Sequence, residues 1–542
     1  MTSPASRPTP EASASAATTV RSAVLQLLRS FGMTTIFGNP GSTELPMFRD
    51  FPADFRYVLG LQEAVVVGMA DGYAQATRRP AVVNLHSAAG VGNAMGNIFT
   101  AYTNRTPLLI TAGQQARSIL PFDPFLFSAQ PTELPKPYVK WSVEPARAQD
   151  VPLAIARALY IAMQPPCGPV LVSIPADDWD QPAEPVEPRL VSTGLRADPD
   201  VLQRIGEALD GSRSPAFVIG AGVDRDGAWE EVRQLAERHR ARVWTAPMSA
   251  RCGFAEDHPL FAGFLPAMRE KIVALLEGHD LILAIGAPAF AYHVEGTGPH
   301  LPAGASLCQL IDDPQTAAWT PSGTSAVCSI RLGVQDLLDR PVPGAQRIAP
   351  PSRPERRPAS PPVRGERMST AYALQTLHEL RDPRDIVVEE APGARSVMQE
   401  RLPITRSDTF YTMASGGLGW GLPAAVGVAL GKPGARVINL MGDGSSMYSI
   451  QALWSAAQLQ LPITFVILKN RRYAALQDFA PVFGFAPGDK PQGTELPALD
   501  FVALARGQGC DAVHVERAED LRDTLARALR SNGPMLVEIE VQ

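Results

Sequence analysis

Cysteine is scarce: 542 residues carry five, at Cys167, Cys252, Cys308, Cys328 and Cys510, with no C-x-x-C spacing. That excludes a disulfide framework and a zinc knuckle, and leaves buried thiols in a reducing cytoplasm. Long apolar runs are missing too, so no membrane span is expected. Neither sign of charge is in large excess: 49 Lys and Arg against 55 Asp and Glu leave a net charge of −6. That argues against nucleic acid or an anionic membrane as the main partner. A G-x-x-x-x-G-K-[ST] loop is absent around the Gly442 turn, which excludes a P-loop nucleotide site there. Residues 1–18 are rich in Ser, Ala, Thr and Pro but lack an apolar h-region, and read as a disordered tail rather than a signal peptide.

What is present is globular in composition, 45% hydrophobic and 19% charged, and too long for one core. Four apolar runs, TTIFGNPG, AVVNLHSAAG, PLLITAG and PVLVSIP, alternate with helical patterns. Strands apolar throughout imply parallel sheets covered on both faces. The acidic, Pro-rich stretch DDWDQPAEPVEPRL closes this first unit, 19–185. A second unit, 191–340, has AFVIGAG, RVWTAP, LILAIGAP and SLCQLID as its strands. Residues 341–367 hold eight prolines and read as an extended, semi-rigid linker. A third unit, 368–542, has DIVVEE, RVINLMGDG, ITFVILKN and PMLVEIEV. The expected fold is therefore α/β, three units with parallel sheets covered by helices.

Met441–Asn470, MGDGSSMYSIQALWSAAQLQLPITFVILKN, reads strand, glycine turn, helix, strand, asparagine. Asp443 falls where strand hands over to helix, and Gly442 and Gly444 permit unusual backbone angles and close approach of a ligand. The helix start, with Ser445, offers amides and a hydroxyl to an anion. Asn470 closes the next strand, so in a parallel sheet both side chains emerge at one edge. A carboxylate and an amide carbonyl are hard oxygen ligands that suit magnesium bridging to phosphate. A capping Asp is the plainer reading of the turn alone; its pairing with Asn470 favours a metal.

This stretch resembles the thiamine-diphosphate motif, a GDG followed downstream by Asn. From about residue 19 the chain is similar to the thiamine-diphosphate-dependent decarboxylases, and within them most to the benzoylformate decarboxylases. FGNPGSTELPMFRDFPADFRYVLGLQEA, NLHSAAGVGNAMGN, LITAGQQAR, IGAPAFAYH and ASGGLGWGLPAAVGVAL carry the resemblance. It implies pyrimidine-binding, middle and pyrophosphate-binding domains, and bound thiamine diphosphate with Mg2+ or Ca2+. Asp443, Asn470 and the backbone carbonyl of Arg472 would be the metal ligands. Gly393, Gly442, Gly444, Ser445, Tyr448 and Tyr473 would contact the cofactor. Gly416 and Gly417 would let carbonyls reach its aminopyrimidine, and Leu418 would hold it bent.

Glu63 opens a helix read as amphipathic, and by resemblance hydrogen-bonds the pyrimidine ring. Beside Leu61, Ala64 and Val65 its carboxyl is expected to hold a proton more readily than usual; a Glu placed by the helix dipole is the plainer reading. His86 and His293 match the family's proton-transfer pair, while the other six histidines carry no signal. Ser42 matches the serine that contacts the substrate carboxylate, or caps the helix that follows, or both. Phe125, Leu126, Leu476 and Phe479 match the walls of an aromatic substrate pocket.

The chain departs from the pattern at Lys469, at Arg471-Arg472, at Glu390-Ala391-Pro392-Gly393 where hydroxyls are usual, and at Asp478. Pyruvate-type decarboxylases carry adjacent histidines and a glutamate beyond the asparagine; HSAAG and Ala475-Leu476 disfavour that reading. An acetolactate-synthase-like chain would hold FAD in the middle unit, and VIGAG is not G-x-G-x-x-G. The activity implied is non-oxidative decarboxylation of an aromatic 2-oxo acid. Alternatives are a benzaldehyde-lyase-like carboligase, a phenylpyruvate-type decarboxylase and a non-catalytic binder. The expected partners are a small 2-oxo acid and further copies of the chain, a dimer at least and a tetramer by family.

Overall fold

The computed structural model describes residues 18–542 except 343, 345, 346, 350–357, 363–365 and 487. The tail expected at 1–18 lies, but for Thr18, outside the described residues, as does much of the Pro-rich linker. The linker residues that are described carry neither helix nor strand.

The first sheet contains β1 (Thr35–Gly38), β2 (Arg56–Leu59), β3 (Ala81–Leu85), β4 (Leu108–Gln114), β5 (Ser142–Val143) and β6 (Val170–Pro175). The second contains β7 (Pro215–Ile219), β8 (Arg242–Thr245), β9 (Phe261–Phe264), β10 (Leu281–Ile285), β11 (Ser306–Ile311) and β12 (Thr324–Val327). The third contains β13 (Ile386–Glu390), β14 (Phe410–Thr412), β15 (Val437–Gly442), β16 (Ile463–Lys469), β17 (Asp511–Val515) and β18 (Met535–Glu540). Their orders are β2-β1-β3-β4-β6-β5, β12-β11-β10-β7-β8-β9 and β14-β13-β15-β16-β18-β17, all pairs parallel. Each is an α/β sheet with helical crossovers, as the fully apolar runs require.

The first and third sheets run in the same relative order and share one core. A single buried cluster extends from Phe37 and Val83 through Val426 to Phe465, while the second sheet keeps clusters of its own. The shared core is built on two helices that cross backbone to backbone, Glu63–Thr77 and Gly421–Gly431. A methyl at Gly72 would lie 2.2 Å from the Ala424 carbonyl oxygen, and one at Gly427 would lie 1.9 Å from that of Met69. Only glycine fits such an approach. Trp420, fully buried, donates its indole N–H to the Asp71 carboxylate at 2.6 Å, and Thr106, Gln75 and Asn104 complete the set around that acid.

This crossing corrects the amphipathic reading of the helix that Glu63 opens. Val65 to Gly72 are buried at every position, because the sheet covers one side of the helix and Gly421–Gly431 the other. A helix hydrophobic all round belongs inside. Among the described residues no helix is long and apolar enough to cross a membrane.

Candidate active site

Two groups of side chains gather at the carboxyl ends of strands, the place where open parallel sheets bind ligands. The first lies in the crevice between β1 and β3. The loop after β1 runs Asn39 to Glu44, and His86 follows β3 as the N-cap of helix Ser87–Thr103. Glu44 is buried, and its Oε2 accepts from the Gly41 N–H at 2.8 Å and lies 2.9 Å from His86 Nδ1. Thr43 donates its hydroxyl to Glu44 Oε1 at 2.6 Å. A carboxylate only accepts, so Nδ1 carries the proton and the lone pair of a neutral ring is on Nε2. Gly41 lies flat on that ring: a methyl there would fall 2.3 Å from it. The next residue, Ser87, sits at φ 41° with a buried hydroxyl that has no partner among the described residues.

Glu44 escaped the sequence reading. Its signal was present, a turn closed by a Glu three residues beyond an amide, as in a capping box.

Ser42 is exposed and caps nothing; the N-cap of the short helix Leu45–Phe48 is Glu44, whose side chain turns back to Gly41 instead. Glu63 is half-buried as the first residue of its helix, with Gln62 as the cap. The apolar enclosure expected around its carboxylate is not supplied within this chain. Asn39 and Asn93 amides reach its two oxygens at 3.4 and 3.1 Å, and Leu61 points to solvent.

The second group lies between β13, β15 and β16. Asp443 is buried; Oδ1 accepts from the Gly444 N–H at 2.8 Å, and Oδ2 from the N–H groups of Asn470 and Arg471 at 3.0 and 2.6 Å. Burial raises its proton affinity, against the pull of those donors. Among the described residues no Lys, Arg or His pairs with it. The Asn470 Oδ1 accepts from Arg472 N–H at 3.1 Å, which orients the amide. A buried carboxylate without counter-charge among the described residues, beside an amide oxygen and the Arg472 backbone carbonyl, is a donor set that fits a hard divalent cation.

The structure gives a different reason for the flanking glycines. Gly442 has an ordinary φ of −80°, and Gly444 is required because a methyl there would meet the Tyr473 ring at 2.3 Å. The helix expected after the turn is cut to one turn, Asp443–Ser446, before a second piece, Ala452–Gln458. The Ser446 hydroxyl bonds back to the Gly442 carbonyl at 2.8 Å, competing with the helical ladder. Ser445 is buried in that turn. Tyr448 is largely exposed. Gly393 lies exposed in the one-turn segment Pro392–Ala394.

A glycine segment joins the two groups' surroundings. Gly416 takes φ 73° with open space around it, and Leu418 packs on the shared core. Thr100 and Ser415 hydroxyls meet at 2.9 Å, and Asn97 donates to the Gly419 carbonyl at 3.2 Å. Glu390 fixes the end of this segment. Fully buried, it accepts N–H groups from Gly419, Trp420 and Gly421, while burial lifts its carboxyl to about 7.

His293, exposed, lies against Phe479 with ring centroids 4.9 Å apart. Leu476 and Phe125 are 56% and 85% exposed, and Leu126 is held at φ 64°. Among the described residues no hydrogen bond or ring contact links Ser42, Glu63 or His86 to Asp443, Asn470 or His293. Each half is held together by contacts of its own.

Residues 18–130 match the thiamine pyrophosphate enzyme N-terminal TPP binding domain, 202–337 the central domain, and 393–539 the C-terminal TPP binding domain. The chain is 46% identical over 532 residues to the benzoylformate decarboxylase of Pseudomonas aeruginosa, covering 97% of this chain and 99% of that one. It is similar to the solved 4-hydroxybenzoylformate decarboxylase of Rhodococcus jostii, with TM-score 0.92, 39% identity and coverage of 97% and 99%. The benzoylformate decarboxylase structure from Polynucleobacter necessarius gives TM-score 0.93 at 40% identity, with coverage of 97% and 98%.

Proposed function

The chain belongs to the thiamine pyrophosphate enzyme family, and from that premise we propose that it converts an aromatic 2-oxo acid, benzoylformate, to benzaldehyde and carbon dioxide. The observation that carries this reading is Asp443, buried beside the Asn470 amide with no counter-charge among the described residues. We assign Asp443, Asn470 and the Arg472 carbonyl to a divalent ion, Mg2+ or Ca2+. Gly393, Gly442, Gly444, Ser445, Tyr448 and Tyr473 belong to the diphosphate side of the cofactor. Gly416, Gly417, Leu418 and Glu63 belong to its ring.

When bound, the cofactor supplies a cationic ring that accepts the electron pair released as carbon dioxide departs. The chain's residues bind, orient and move protons. Ser42 presents a free hydroxyl to the substrate carboxylate. Phe125, Leu126, Leu476 and Phe479 offer apolar walls that suit a phenyl ring and exclude water. His86 is locked through Nδ1 to Glu44, which leaves Nε2 to take or give a proton at the reacting carbon. His293, held edge-on against Phe479, is the second proton carrier.

The lack of a direct contact between the two groups among the described residues, and the exposure of Phe122, Phe125, Leu126 and Leu476, support a site shared between copies: a homodimer at least, a tetramer by family. Five free cysteines, four of them buried, support a reducing cytoplasm.

The test is stoichiometric release of carbon dioxide and benzaldehyde from benzoylformate by purified protein with thiamine diphosphate and Mg2+. No turnover of any 2-oxo acid with cofactor bound would refute a decarboxylase. Turnover of phenylpyruvate alone would move the substrate.

A further inference from the structure

Directly behind Asn470, at the carboxyl ends of β16 and β18, lies a cluster of charge that neither the substrate nor the metal needs to touch. Glu538 and Glu540 are 2% and 3% exposed, and Lys469 is 9% exposed. The Lys469 ammonium lies 2.5 Å from Glu538 Oε1 and 3.5 Å from Glu540 Oε1. The Arg471 guanidinium donates to the same Glu540 oxygen at 2.8 Å. His514 Nδ1 lies 2.9 Å from Glu538 Oε1, and the Phe501 N–H donates to Glu538 Oε2 at 3.0 Å. The ligand atoms of His514, Glu538 and Glu540 lie within 4.8 Å of one another, close enough for an ion. The lysine ammonium takes that place.

The arrangement brackets Asn470. The residue before it and the residue after it are both tied to one oxygen of one buried carboxylate on the neighbouring strand. Arg471 is also held at φ 64°, a backbone region that residues with side chains rarely adopt. That conformation turns the Asn470 and Arg471 N–H groups together onto Asp443 Oδ2. Glu540 from behind and Asp443 from in front hold the bent segment through side chains, while the Val541 and Leu496 N–H groups hold the Lys469 and Arg471 carbonyls at 3.0 and 2.8 Å.

We propose that Lys469, Arg471, Glu538 and Glu540 form a clamp that sets the position of Asn470 for the divalent ion, with Lys469 and Arg471 as positioning residues. This rests on the reading of Asp443 and Asn470 as metal ligands. Without the clamp the bent segment relaxes and the amide oxygen leaves the place opposite Asp443. Outer partners of a metal ligand act this way, and their loss commonly weakens the metal by about 10- to 100-fold.

The experiment is calorimetric titration of Mg2+ into full-length protein stripped of cofactor and resupplied with saturating thiamine diphosphate, alongside melting of the stripped protein. Arg471→Asn decides the matter, because Asn tolerates the same φ and the buried Lys469–Glu538 pair stays intact. It is expected to weaken Mg2+ by about tenfold or more with the melting temperature unchanged. Lys469→Met, which leaves Glu538 and Glu540 buried without their ammonium, is expected to weaken Mg2+ at least as much and to lower the melting temperature, and Lys469→Arg to restore affinity to within about threefold of the parent. Parent-like Mg2+ affinity in Arg471→Asn overturns the clamp, as does a lowered melting temperature with affinity intact. No Mg2+-dependent binding by the parent protein would overturn instead the metal-site reading beneath it.

Discussion

The first and third sheets run in the same strand order, and each places a buried acid in the crevice between its first and third strands. Between β1 and β3 the acid is Glu44, and an imidazole stands 2.9 Å away. At the end of β15, beside β13, it is Asp443, with backbone N–H groups around it and, among the described residues, no cationic side chain. In the roles proposed above, one geometry serves two chemistries because of what is set opposite the charge. A carboxylate matched with a histidine fixes a tautomer and handles protons. A carboxylate left unmatched keeps its attraction for a cation from outside. Topology supplies the place, and the counter-charge decides its use.

The largest effect that tests this contrast is at the unmatched acid. Asp443→Asn is expected to abolish metal-dependent cofactor heat in calorimetry and to lower kcat/KM by more than about 1,000-fold. Retained metal binding would break the comparison. At the matched acid the effect belongs to turnover alone. His86→Ala is expected to lower kcat by about 100- to 10,000-fold with cofactor affinity within about threefold. An equal loss of affinity would erase the division of labour. The shared core comes next. Gly427→Ala pushes a methyl onto the Met69 carbonyl and is expected to cost about 3 kcal/mol or more, read as a fall in melting temperature.

Glu44→Gln keeps the shape of the first crevice and removes its charge, with an expected loss in kcat of about 10- to 100-fold and an altered pH profile. An unchanged profile would show that the acid does not act through His86. The smallest effect concerns Glu390, whose carboxyl burial raises from 4.5 to about 7. The folded chain then keeps a proton that the unfolded chain releases. The stability this contributes is full below about pH 4.5 and lost as pH rises through 7. Melting temperature should fall across that window, and Glu390→Gln should flatten the slope.

The sequence reading found the interior of each sheet and missed the rims. The strands identified were β1, β3, β4 and β6; β7, β8, β10 and β11; and β13, β15, β16 and β18. The six left out, β2, β5, β9, β12, β14 and β17, are the two edges of every sheet. An interior strand is buried on both faces and spells an unbroken apolar run. An edge strand such as Asp511–Val515 or Ser142–Val143 is short, partly wet and mixed in composition. At the site, Asp443 and Asn470 were legible because their spacing along one βαβ unit encodes nearness. Glu44 and His86 lie 42 positions apart, and Lys469 and Glu540 meet across β16 and β18; only the folded sheet brings either pair together. The tight packing of Gly444 on Tyr473 was invisible for the same reason.

The crossing of helix Glu63–Thr77 with Gly421–Gly431 has a consequence during synthesis. Asp71 waits for Trp420, 349 positions later in the chain. At about 5–20 residues per second, a ribosome takes roughly 20–70 s to deliver it. For that interval the nascent first unit exposes a bare glycine-lined groove and an acid that has Thr106, Gln75 and Asn104 but still lacks its indole donor, so chaperone capture should be greatest before the second helix emerges.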